Sequence, residues 1–400
     1  MSRERIAMTR PLGPTRARDL GIVIGSGSPG PANAITDVSG VRVGHCTLVG
    51  GTGVLVRGRG PVRTGVTVVL PHDKGIWSRP VFAGCHRLNG NGELTGLEWV
   101  RESGMLTSPV GLTNSHSVGV VRDALVRAEV AARDPGELFW GLPVVGETWD
   151  GVLNDINGFH VCPEHVGHAL SAAVGGAVAE GNVGAGTGTI CHGFKGGIGT
   201  ASREIETSGD SRYTLGVLVQ ANQGRRDRLS VDGVPVGCHL GPAEVPIPVP
   251  PETTVPVEGG GSIIVVVATD APLLPHQCTR LAQRASFGIA RTGGVGEHFS
   301  GELVLAFATG NRLRKSEYGA DTPGPRPVAM LADGSIDPLF AAAVEATEES
   351  ILNALVAARS VTGRDGVRAY ALPHEGLVAV LEAHGRYTRS FCSALPEETS

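Results

Sequence analysis

Residues 259–269 read GGGSIIVVVAT, in which three glycines and a serine lead directly into an unbroken, mainly β-branched segment. Continuous Val and Ile residues bounded by turn residues are typical of a strand that is buried on both faces. Upstream, residues 241–261 (GPAEVPIPVPPETTVPVEGGG) are proline-rich and polar, which predicts an extended linker. The pattern therefore places Ser262 between a flexible connection and a core strand.

Strands and helices alternate irregularly on both sides of this segment. The patterns predict strands within residues 34–70, at 213–221 and at 302–308, and helices at 117–132, 163–180, 273–292, 337–360 and 375–384. Since there is no strict strand–helix–strand repeat, we expect an α+β fold in which helices cover sheets. The chain of 400 residues is long enough to bury a sizeable core.

Composition argues against several classes of function. The chain has 34 basic and 39 acidic residues and a net charge of −5, so it offers no strong positive field to nucleic acid or to an anionic membrane. Aromatic residues make up only 4% of the chain, which argues against a stacking platform for single-stranded nucleic acid. Glycine is unusually frequent, with 59 residues, which predicts many tight turns and close backbone contacts.

The cysteines and the N-terminal segment bear on the compartment. Seven cysteines are scattered through the chain without a C-x-x-C pair, which does not resemble a disulfide framework. The N-terminal segment is charged and lacks the apolar core of a secretory signal. The longest apolar run, at residues 263–268, is too short to span a bilayer. We therefore expect a cytoplasmic protein that does not engage membranes.

Three motif-like patterns fail on their context. Residues 25–30 (GSGSPG) match G-x-G-x-x-G, but the sequence that follows, PANAITDVSG, has no helical period to present to a pyrophosphate. Residues 188–195 (GTICHGFK) have Phe where a phosphate-binding loop needs Lys next to Gly. Cys162, His165 and His168 have metal-like spacing but no second ligand pair at a fixed distance. We expect neither a metal nor an organic cofactor.

The serine after the glycine run allows two interpretations. In the first, the glycines form a hinge and Ser262 is an incidental hydroxyl at the start of a strand. In the second, the chain cleaves itself, because glycine tolerates a strained conformation and leaves the Gly261 carbonyl open to the hydroxyl of Ser262. The product then carries a hydroxyl nucleophile next to its own α-amine, whose ordinary pKa of about 7.7–8.0 suits a base. The local pattern leaves both interpretations open.

Eight stretches, in one order along the chain, carry a family resemblance that reaches beyond this motif. They are NAITDVSGVRVGH (33–45), LNGNGELTG (88–96), LTNSHSVGVVRDA (112–124), LPVVGETWDGVLNDING (142–158), GNVGAGTGTICHGFKGGIGTASR (181–203), YTLGVLVQAN (213–222), GGGSIIVVVATDAPL (259–273) and SGELVLAFATGN (300–311). On these stretches the chain resembles the L-aminopeptidase D-alanine-esterase/amidase and β-peptidyl aminopeptidase family of self-cleaving N-terminal serine hydrolases.

This resemblance implies a fold and a maturation step. The fold is a single four-layer αββα sandwich over residues 1–400, similar to the N-terminal nucleophile hydrolases but with different connectivity. The maturation step is cleavage between Gly261 and Ser262 into a large chain, 1–261, and a small chain, 262–400, which stay assembled. The resemblance also implies a homo-oligomer, a tetramer of such processed pairs, that acts on small peptides or amides.

The same resemblance implies a set of catalytic residues. Ser262 is the implied nucleophile, and Ser300 and Glu302 are its supporting pair. A Ser-x-Glu pattern on a strand puts both side chains on one face, where they can hydrogen-bond and orient or relay a proton. Asn222 matches the asparagine of the family's oxyanion hole, whose amide N–H stabilises charge on the carbonyl oxygen.

Two further residues match the substrate site. Glu147 matches the carboxylate that holds a substrate's free α-ammonium, which makes the implied enzyme an exopeptidase. Trp149 stands where the family pattern often has Tyr, and since an indole N–H donates but cannot accept, the second oxyanion donor and the shape of the pocket are expected to differ.

We therefore predict a self-processing serine aminopeptidase that releases N-terminal residues from short peptides, amides or esters through an acyl-enzyme on Ser262. Two other functions remain open. An acyltransferase of related fold, similar to the ornithine acetyltransferases, has threonine at the scission point, and a non-catalytic, unprocessed scaffold protein does not need the set of polar residues. The sequence does not decide between L-, D- and β-residues as substrates.

Overall fold

The structure is a computed structural model and describes residues 15–73, 75–206, 211–251, 261–311, 313, 325 and 327–386. Within these ranges the strands are β1 Arg42–Gly50, β2 Val62–Leu70, β3 Val81–Gly90, β4 Met105–Leu106, β5 Val110–Asn114, β6 Val144–Thr148, β7 Ile190–Cys191, β8 Phe194–Lys195, β9 Gly197–Glu206, β10 Arg212–Ala221, β11 Ile263–Thr269, β12 Gly301–Ala308, β13 Val361–Thr362 and β14 Arg368–Ala369. The α-helices are α1 Leu97–Ser103, α2 Val118–Ala131, α3 Pro163–Ser171, α4 Val236–His239, α5 Pro275–Arg291, α6 Asp337–Ala357 and α7 His374–Ala383.

Two main sheets organise these strands. The four-stranded sheet has the order β1-β2-β5-β6, and the six-stranded sheet has the order β4-β3-β12-β11-β10-β9. Most neighbouring strands are antiparallel, but β5 pairs with β6 and β11 pairs with β12 in parallel. The central position of β11 agrees with the apolar character of its sequence, since every residue of this strand is buried.

The side chains of β11 alternate between two cores. Val265 and Val267 belong to the core that also contains residues of α5 and α6. Ile264 and Val266 point the other way, into a core shared with Leu112 of the four-stranded sheet. The two sheets therefore pack face to face, and the period-2 alternation of a strand is what divides one apolar run between two layers.

Helices cover the outer faces of both sheets. Helices α5 and α6 contribute Leu281 and Leu355 to the core on the outer face of the six-stranded sheet. On the other side, Leu125 of α2 and Val166 of α3 pack with Val68 of β2. The four layers run helix, sheet, sheet, helix, which confirms the expected α+β αββα sandwich.

Most of the expected elements are present, with one clear error. The helix expected over 163–180 ends at Ser171. The amide and carbonyl of Val174 exchange hydrogen bonds with those of Val43 in β1, at 3.1 and 3.0 Å, so the chain is extended there instead of helical. A tertiary contact therefore stops the helix. Of the expected linker at 241–261, residues 252–260 lie outside the described part of the chain.

Within the described ranges, no helix has both the length and the apolar character that a bilayer crossing requires.

Candidate active site

The register of three strands brings distant residues together at one edge of the six-stranded sheet. Ile263, the first residue of β11, pairs with Ala221 at the end of antiparallel β10 and with Glu302 at the start of parallel β12. Ser262 directly precedes Ile263 and Asn222 directly follows Ala221, so both lie at the same edge of the sheet as Glu302. This convergence is a consequence of strand direction. Two parallel strands, such as β11 and β12, start at the same edge of the sheet, whereas of two antiparallel strands, such as β10 and β11, one ends where the other starts.

Ser262 is held by backbone contacts on two sides. The amide of Gly301 donates a hydrogen bond to Oγ of Ser262 at 3.1 Å, and the amide of Asn222 donates to the carbonyl oxygen of Ser262, also at 3.1 Å. The residue is only 5% exposed. Because the Oγ atom accepts the bond from Gly301, its own proton remains available for transfer.

Ser300 links the peptide bond before Ser262 to an acidic group. Its hydroxyl contacts both the carbonyl oxygen of Gly261 and Oε1 of Glu302. A serine hydroxyl has one hydrogen, so both contacts are hydrogen bonds only when the carboxyl of Glu302 is protonated and itself donates to Ser300. The arrangement is then a chain of donors that runs from Glu302 through Ser300 to the Gly261 carbonyl.

The electrostatic surroundings of Glu302 favour this protonated form. Burial raises the pKa of Glu302 to about 7, against the opposing effect of the hydrogen bond with Ser300. A carboxyl with such a pKa changes its protonation state near neutral pH, which is the range in which it can both give and take a proton.

Asn222 is fixed at both ends of its side-chain amide. Its Oδ1 accepts a hydrogen bond from the amide of Ile190 at 2.7 Å, and its Nδ2 donates to the carbonyl oxygen of Trp149 at 3.0 Å. A Cβ built on Gly261 lies 3.0 Å from Nδ2 of Asn222, so this nitrogen is next to the Gly261–Ser262 peptide. An Nδ2 group has two hydrogens, and the second is free to serve a carbonyl oxygen at this point.

Glu147 reaches the same region from the four-stranded sheet. It is buried in β6, its Oε1 accepts a hydrogen bond from the amide of Glu93 at 2.9 Å, and its Oε2 accepts one from the hydroxyl of Ser115. A Cβ built on Gly92 lies 3.3 Å both from Oε1 of Glu147 and from the Cα of Gly301, whose amide contacts Ser262. Glu147 therefore lies close to the strand end that carries Ser262.

Glycine allows this approach between the two sheets. A Cβ built on Gly146 lies 3.1 Å from Cγ1 and Cγ2 of Ile264, so a larger residue in β6 pushes against β11. Burial raises the pKa of Glu147, and the hydrogen bonds from Ser115 and from the Glu93 amide oppose that shift. An ionised carboxylate without a cation is costly in such a place, which makes Glu147 a favourable site for an ammonium group.

Trp149 contributes its backbone more than its ring. The carbonyl oxygen accepts the hydrogen bond from Asn222, and the ring packs against a small cluster that contains Val152, Leu153 and Ile190. The ring also fills the space beside Gly151, where a built Cβ lies 2.8 Å from three of its atoms. The carbonyl of Trp149 is thus a hydrogen-bond partner of Asn222, and its ring packs in the cluster beside it.

A buried lysine lies beneath this region. Nζ of Lys195 donates hydrogen bonds to the carbonyl oxygens of Gly186 and Gly196 at 2.9 and 2.8 Å. Burial lowers the pKa of Lys195 to about 7, and burial raises the pKa of the neighbouring Asp150 to about 6. Lys195 belongs to the β7–β8 hairpin that also carries Ile190, so it anchors the hairpin that holds Asn222.

Sequence reasoning missed several supporting residues. Ser115 and the amide of Gly301 were not among the predicted site residues, although both lie in the matching stretches. Asn89 donates to the carbonyl oxygens of Glu297 and Ser300 at 2.7 and 2.5 Å and so fixes the turn before β12. Asn91 donates to the carbonyl oxygen of Phe299 at 2.8 Å in the same turn. Their position in matching stretches was the available signal, but it did not assign a contact to any of them.

Comparison with known proteins gives consistent relationships over nearly the whole chain. The model of Peptidase family S58 matches residues 33–369. The β-peptidyl aminopeptidase BapA of Sphingosinicella microcystinivorans is 50% identical over 376 residues, which cover 93% of each chain. A solved structure of a Burkholderia sp. β-aminopeptidase is 52% identical, with a TM-score of 0.85, and the match covers 94% of this chain and 100% of that chain.

A further solved structure is similar in fold and sequence. The L-aminopeptidase D-Ala-esterase/amidase of Ochrobactrum anthropi is 45% identical, with a TM-score of 0.83, and the match covers 93% of this chain and 99% of that chain. That protein is described as a prototype for the serine aminopeptidases and as a new variant of the Ntn hydrolase fold. The four layers described above agree with this likeness.

Proposed function

This chain belongs to peptidase family S58 and is an aminopeptidase, and on that premise we propose that it matures by cleaving its own peptide bond between Gly261 and Ser262. The mature enzyme then releases N-terminal residues from short peptides, amides or esters through an acyl-enzyme on Ser262. One observation carries the proposal: the Ser300 hydroxyl contacts the carbonyl oxygen of Gly261. The Gly301 amide, which donates to Oγ of Ser262, supports it.

Self-cleavage proceeds in two steps. Oγ of Ser262 attacks the carbonyl carbon of Gly261, the C–N bond breaks, and the hydroxyl proton moves to the departing nitrogen, which leaves an ester and a free α-amine. Water then hydrolyses the ester and gives the Gly261 carboxylate and the regenerated Ser262 hydroxyl. The contact between Ser300 and the Gly261 oxygen supports the first step, because a donor at that oxygen stabilises the charge that develops on it.

The two products remain one folded unit under this proposal. The large chain, 1–261, contains β10, and the small chain, 262–400, contains β11. These two strands pair over seven residues, from Leu215 with Thr269 to Ala221 with Ile263. Since the small chain contributes the centre of the six-stranded sheet, its separation exposes both of the cores that β11 fills.

Substrate hydrolysis uses the same residues with the new amine as the base. The α-amine of Ser262 takes the proton from Oγ as this atom attacks the substrate carbonyl, and the protonated amine then gives that proton to the departing amine or alcohol. Water hydrolyses the resulting acyl-enzyme ester, which releases the N-terminal residue and regenerates the Ser262 hydroxyl. Asn222 stabilises the oxyanion, and Ser300 with Glu302 relays protons beside it. The raised pKa of Glu302, about 7, supports this relay because both of its forms are accessible at neutral pH.

Glu147 makes the enzyme an exopeptidase in this proposal. Its buried carboxylate pairs with the α-ammonium of the substrate, and only a chain end carries that charge. The relatives are named a β-peptidyl aminopeptidase and an L-aminopeptidase D-Ala-esterase/amidase, so we include β-residues and α-residues at the substrate N-terminus. The acyltransferase and the inert scaffold gain no support from these relatives.

The proposal extends to location and assembly. We place the enzyme in the cytoplasm as a homo-oligomer, a tetramer of processed pairs. Six cysteines in the described part of the chain (Cys46, Cys85, Cys162, Cys191, Cys238 and Cys278) have free thiols, which is the state that a reducing compartment maintains.

The test combines mass spectrometry with a release assay. Purified wild-type protein is expected to separate into two species, of which one begins at Ser262, and to release the first residue from unblocked amides. Ser262→Ala is expected to remain one species and to release nothing. An intact wild-type chain after prolonged incubation contradicts self-cleavage, and added amine acceptors that take the acyl group in place of water indicate a transferase.

A further inference from the structure

One aromatic residue outside the strands of the site has an unusual conformation and an unusual exposure. Phe159 follows the 3₁₀ turn Ile156–Gly158, has a φ of +53° in the left-handed region, and is 65% exposed. A bulky residue at positive φ is strained, and exposure of its ring to water adds no burial in return. Strained conformations of this kind cluster at functional sites, where they position a group that contacts a ligand.

The ring is connected to the proposed ammonium site. Phe159 stacks on His116, with ring centroids 5.9 Å apart and an interplanar angle of 21°. His116 directly follows Ser115, whose hydroxyl donates to Glu147. Burial raises the pKa of Glu147, and an electrostatic interaction with His116 opposes that shift to a smaller extent. Phe159 is therefore linked to Glu147 through two neighbouring residues, since it stacks on His116 and Ser115 contacts the carboxylate.

The segment that carries Phe159 is firmly anchored. Oδ2 of Asp155 accepts hydrogen bonds from the amides of Gly58 and Gly60 at 2.7 and 3.2 Å, and it lies 2.9 Å from Nε2 of His160. The amide of Gly158 donates to the carbonyl of Asp155 at 3.0 Å. Contacts on both sides of Phe159 thus hold the strained residue in place, and its ring is presented at a fixed position.

We propose that Phe159, backed by His116, forms the wall that contacts the side chain of the substrate's N-terminal residue and so selects apolar side chains at that position. His116 covers one face of the ring, and the other face is open to a ligand. In this proposal, a substrate whose ammonium binds Glu147 directs its first side chain toward the open face of Phe159. The inference rests on the proposed function, since it needs Glu147 as the ammonium site.

The experiment compares leucine amide with glycine amide as substrates, because these differ only in the side chain that the wall contacts. The variant is Phe159→Asn, since asparagine tolerates the left-handed conformation while it removes the ring. We expect kcat/KM for leucine amide to fall roughly 10-fold, mainly through KM, with glycine amide changed less than about twofold. The Tm is expected to stay equal or to rise, because the strain is relieved.

A matched control separates the wall from a general effect of losing an exposed ring. Phe287 is 59% exposed on α5, in the outer helical layer, and Phe287→Ala is expected to leave the leucine-to-glycine ratio unchanged. An unchanged ratio in Phe159→Asn, or an equal loss on both amides, overturns the inference while the aminopeptidase proposal stands. A wild-type enzyme that hydrolyses neither amide overturns this inference, and one that also hydrolyses no β-residue amide overturns the proposed function with it.

Discussion

The backbone amide of Gly301 donates a hydrogen bond to Oγ of Ser262 across the parallel pair β11–β12. This bond joins residues 39 positions apart and orients the hydroxyl at the start of β11. A main-chain donor cannot be removed by side-chain substitution. We therefore expect the hydrogen bond from Gly301 to persist when the neighbouring Ser300 or Glu302 is substituted. Those two positions can therefore be varied with the nucleophile still in place.

Ser300 tests the donor to the scissile carbonyl. We expect Ser300→Ala to slow self-cleavage by about 10²- to 10³-fold, since a single oxyanion donor contributes on that scale. The measurement is the time course of intact chain on denaturing gels. Ser300→Thr keeps the hydroxyl and is the matched control, with cleavage closer to that of wild type. Equal rates in wild type and Ser300→Ala contradict the assigned role.

Gly261 tests the geometry on the other side of the bond. A Cβ built there lies 1.7 Å from the carbonyl oxygen of Asn222, a backbone atom at the end of β10. We expect Gly261→Ala to displace the peptide and to slow self-cleavage by about 100-fold or more, the cost of a shift of roughly 1 Å in reacting atoms. Gly119→Ala is the control, because a Cβ there meets nothing within 4 Å. Rapid cleavage in Gly261→Ala refutes the prediction.

Glu147 tests recognition of the chain end. Glu147→Gln preserves the shape and one acceptor oxygen, replaces the other oxygen by an NH2 group that can donate to the Ser115 hydroxyl, and removes the charge. We therefore expect KM for unblocked amides to rise about 10- to 100-fold. Self-cleavage is expected to be unaffected, since that reaction has no α-ammonium to bind. The assay is steady-state hydrolysis, with an N-acetylated amide as the blank that neither enzyme accepts. If Glu147→Gln leaves KM for unblocked amides unaltered, Glu147 does not belong to the proposed ammonium site.

The pH dependence of binding follows from the same carboxyl. Burial raises the pKa of Glu147, and only the ionised form attracts an ammonium. Binding is therefore expected to weaken as the pH falls through that raised pKa, and KM in Glu147→Gln is expected to lack this acidic limb. If KM of wild type and of Glu147→Gln rises in the same way toward acidic pH, Glu147 is not the source of that pH dependence.

Glu302 permits a stability test that does not depend on activity. Its pKa is about 7 in the folded chain, above the ordinary value near 4.3 of an unfolded one. A carboxyl whose pKa is raised on folding contributes to stability in full at pH values below its pKa in the unfolded chain. This contribution is lost as the pH rises through about 7, the pKa of Glu302 in the folded chain. We expect Glu302→Gln to gain Tm relative to its parent as the pH goes from 5 to 8.5, by roughly 2–4 °C.

This comparison is made in a Ser262→Ala background, so that both proteins remain uncleaved. The other titratable groups are common to the pair, and their contributions cancel in the difference of Tm. A difference that is constant across the pH range shows that Glu302 ionises in the folded chain as it does in the unfolded one, contrary to the structure.

Much of the fold was predictable because local patterns agreed with it. The apolar run after Ser262 is the buried strand β11, and the helices expected over 273–292 and 337–360 appear as α5 and α6. The helix expected to reach residue 180 was wrong, because the partner that extends Val174 lies far away in the sequence, at Val43. The helical periodicity of a segment contains no information about a partner so distant in the sequence.

The site was predictable only in part. The family resemblance selected Ser262, Ser300 and Asn222, and the structure brings all three to one sheet edge. Their catalytic roles stay predictions until the variants are measured. Phe159 and the fixing contacts of Ser115 were not predictable, since a φ value and a stacking partner arise from loop closure and not from a residue pattern.

The sequence by itself determined that a serine stands between a glycine run and a core strand, and that helices and sheets form layers, because both follow from the chemistry of neighbouring residues. Only the tertiary structure decided which atoms meet that serine. The parallel register of β11 and β12 and the glycine contact between the sheets bring Glu302 and Glu147 to one place and bury them. Burial is a property of the packed layers, and it is burial that raises the pKa of both carboxyls.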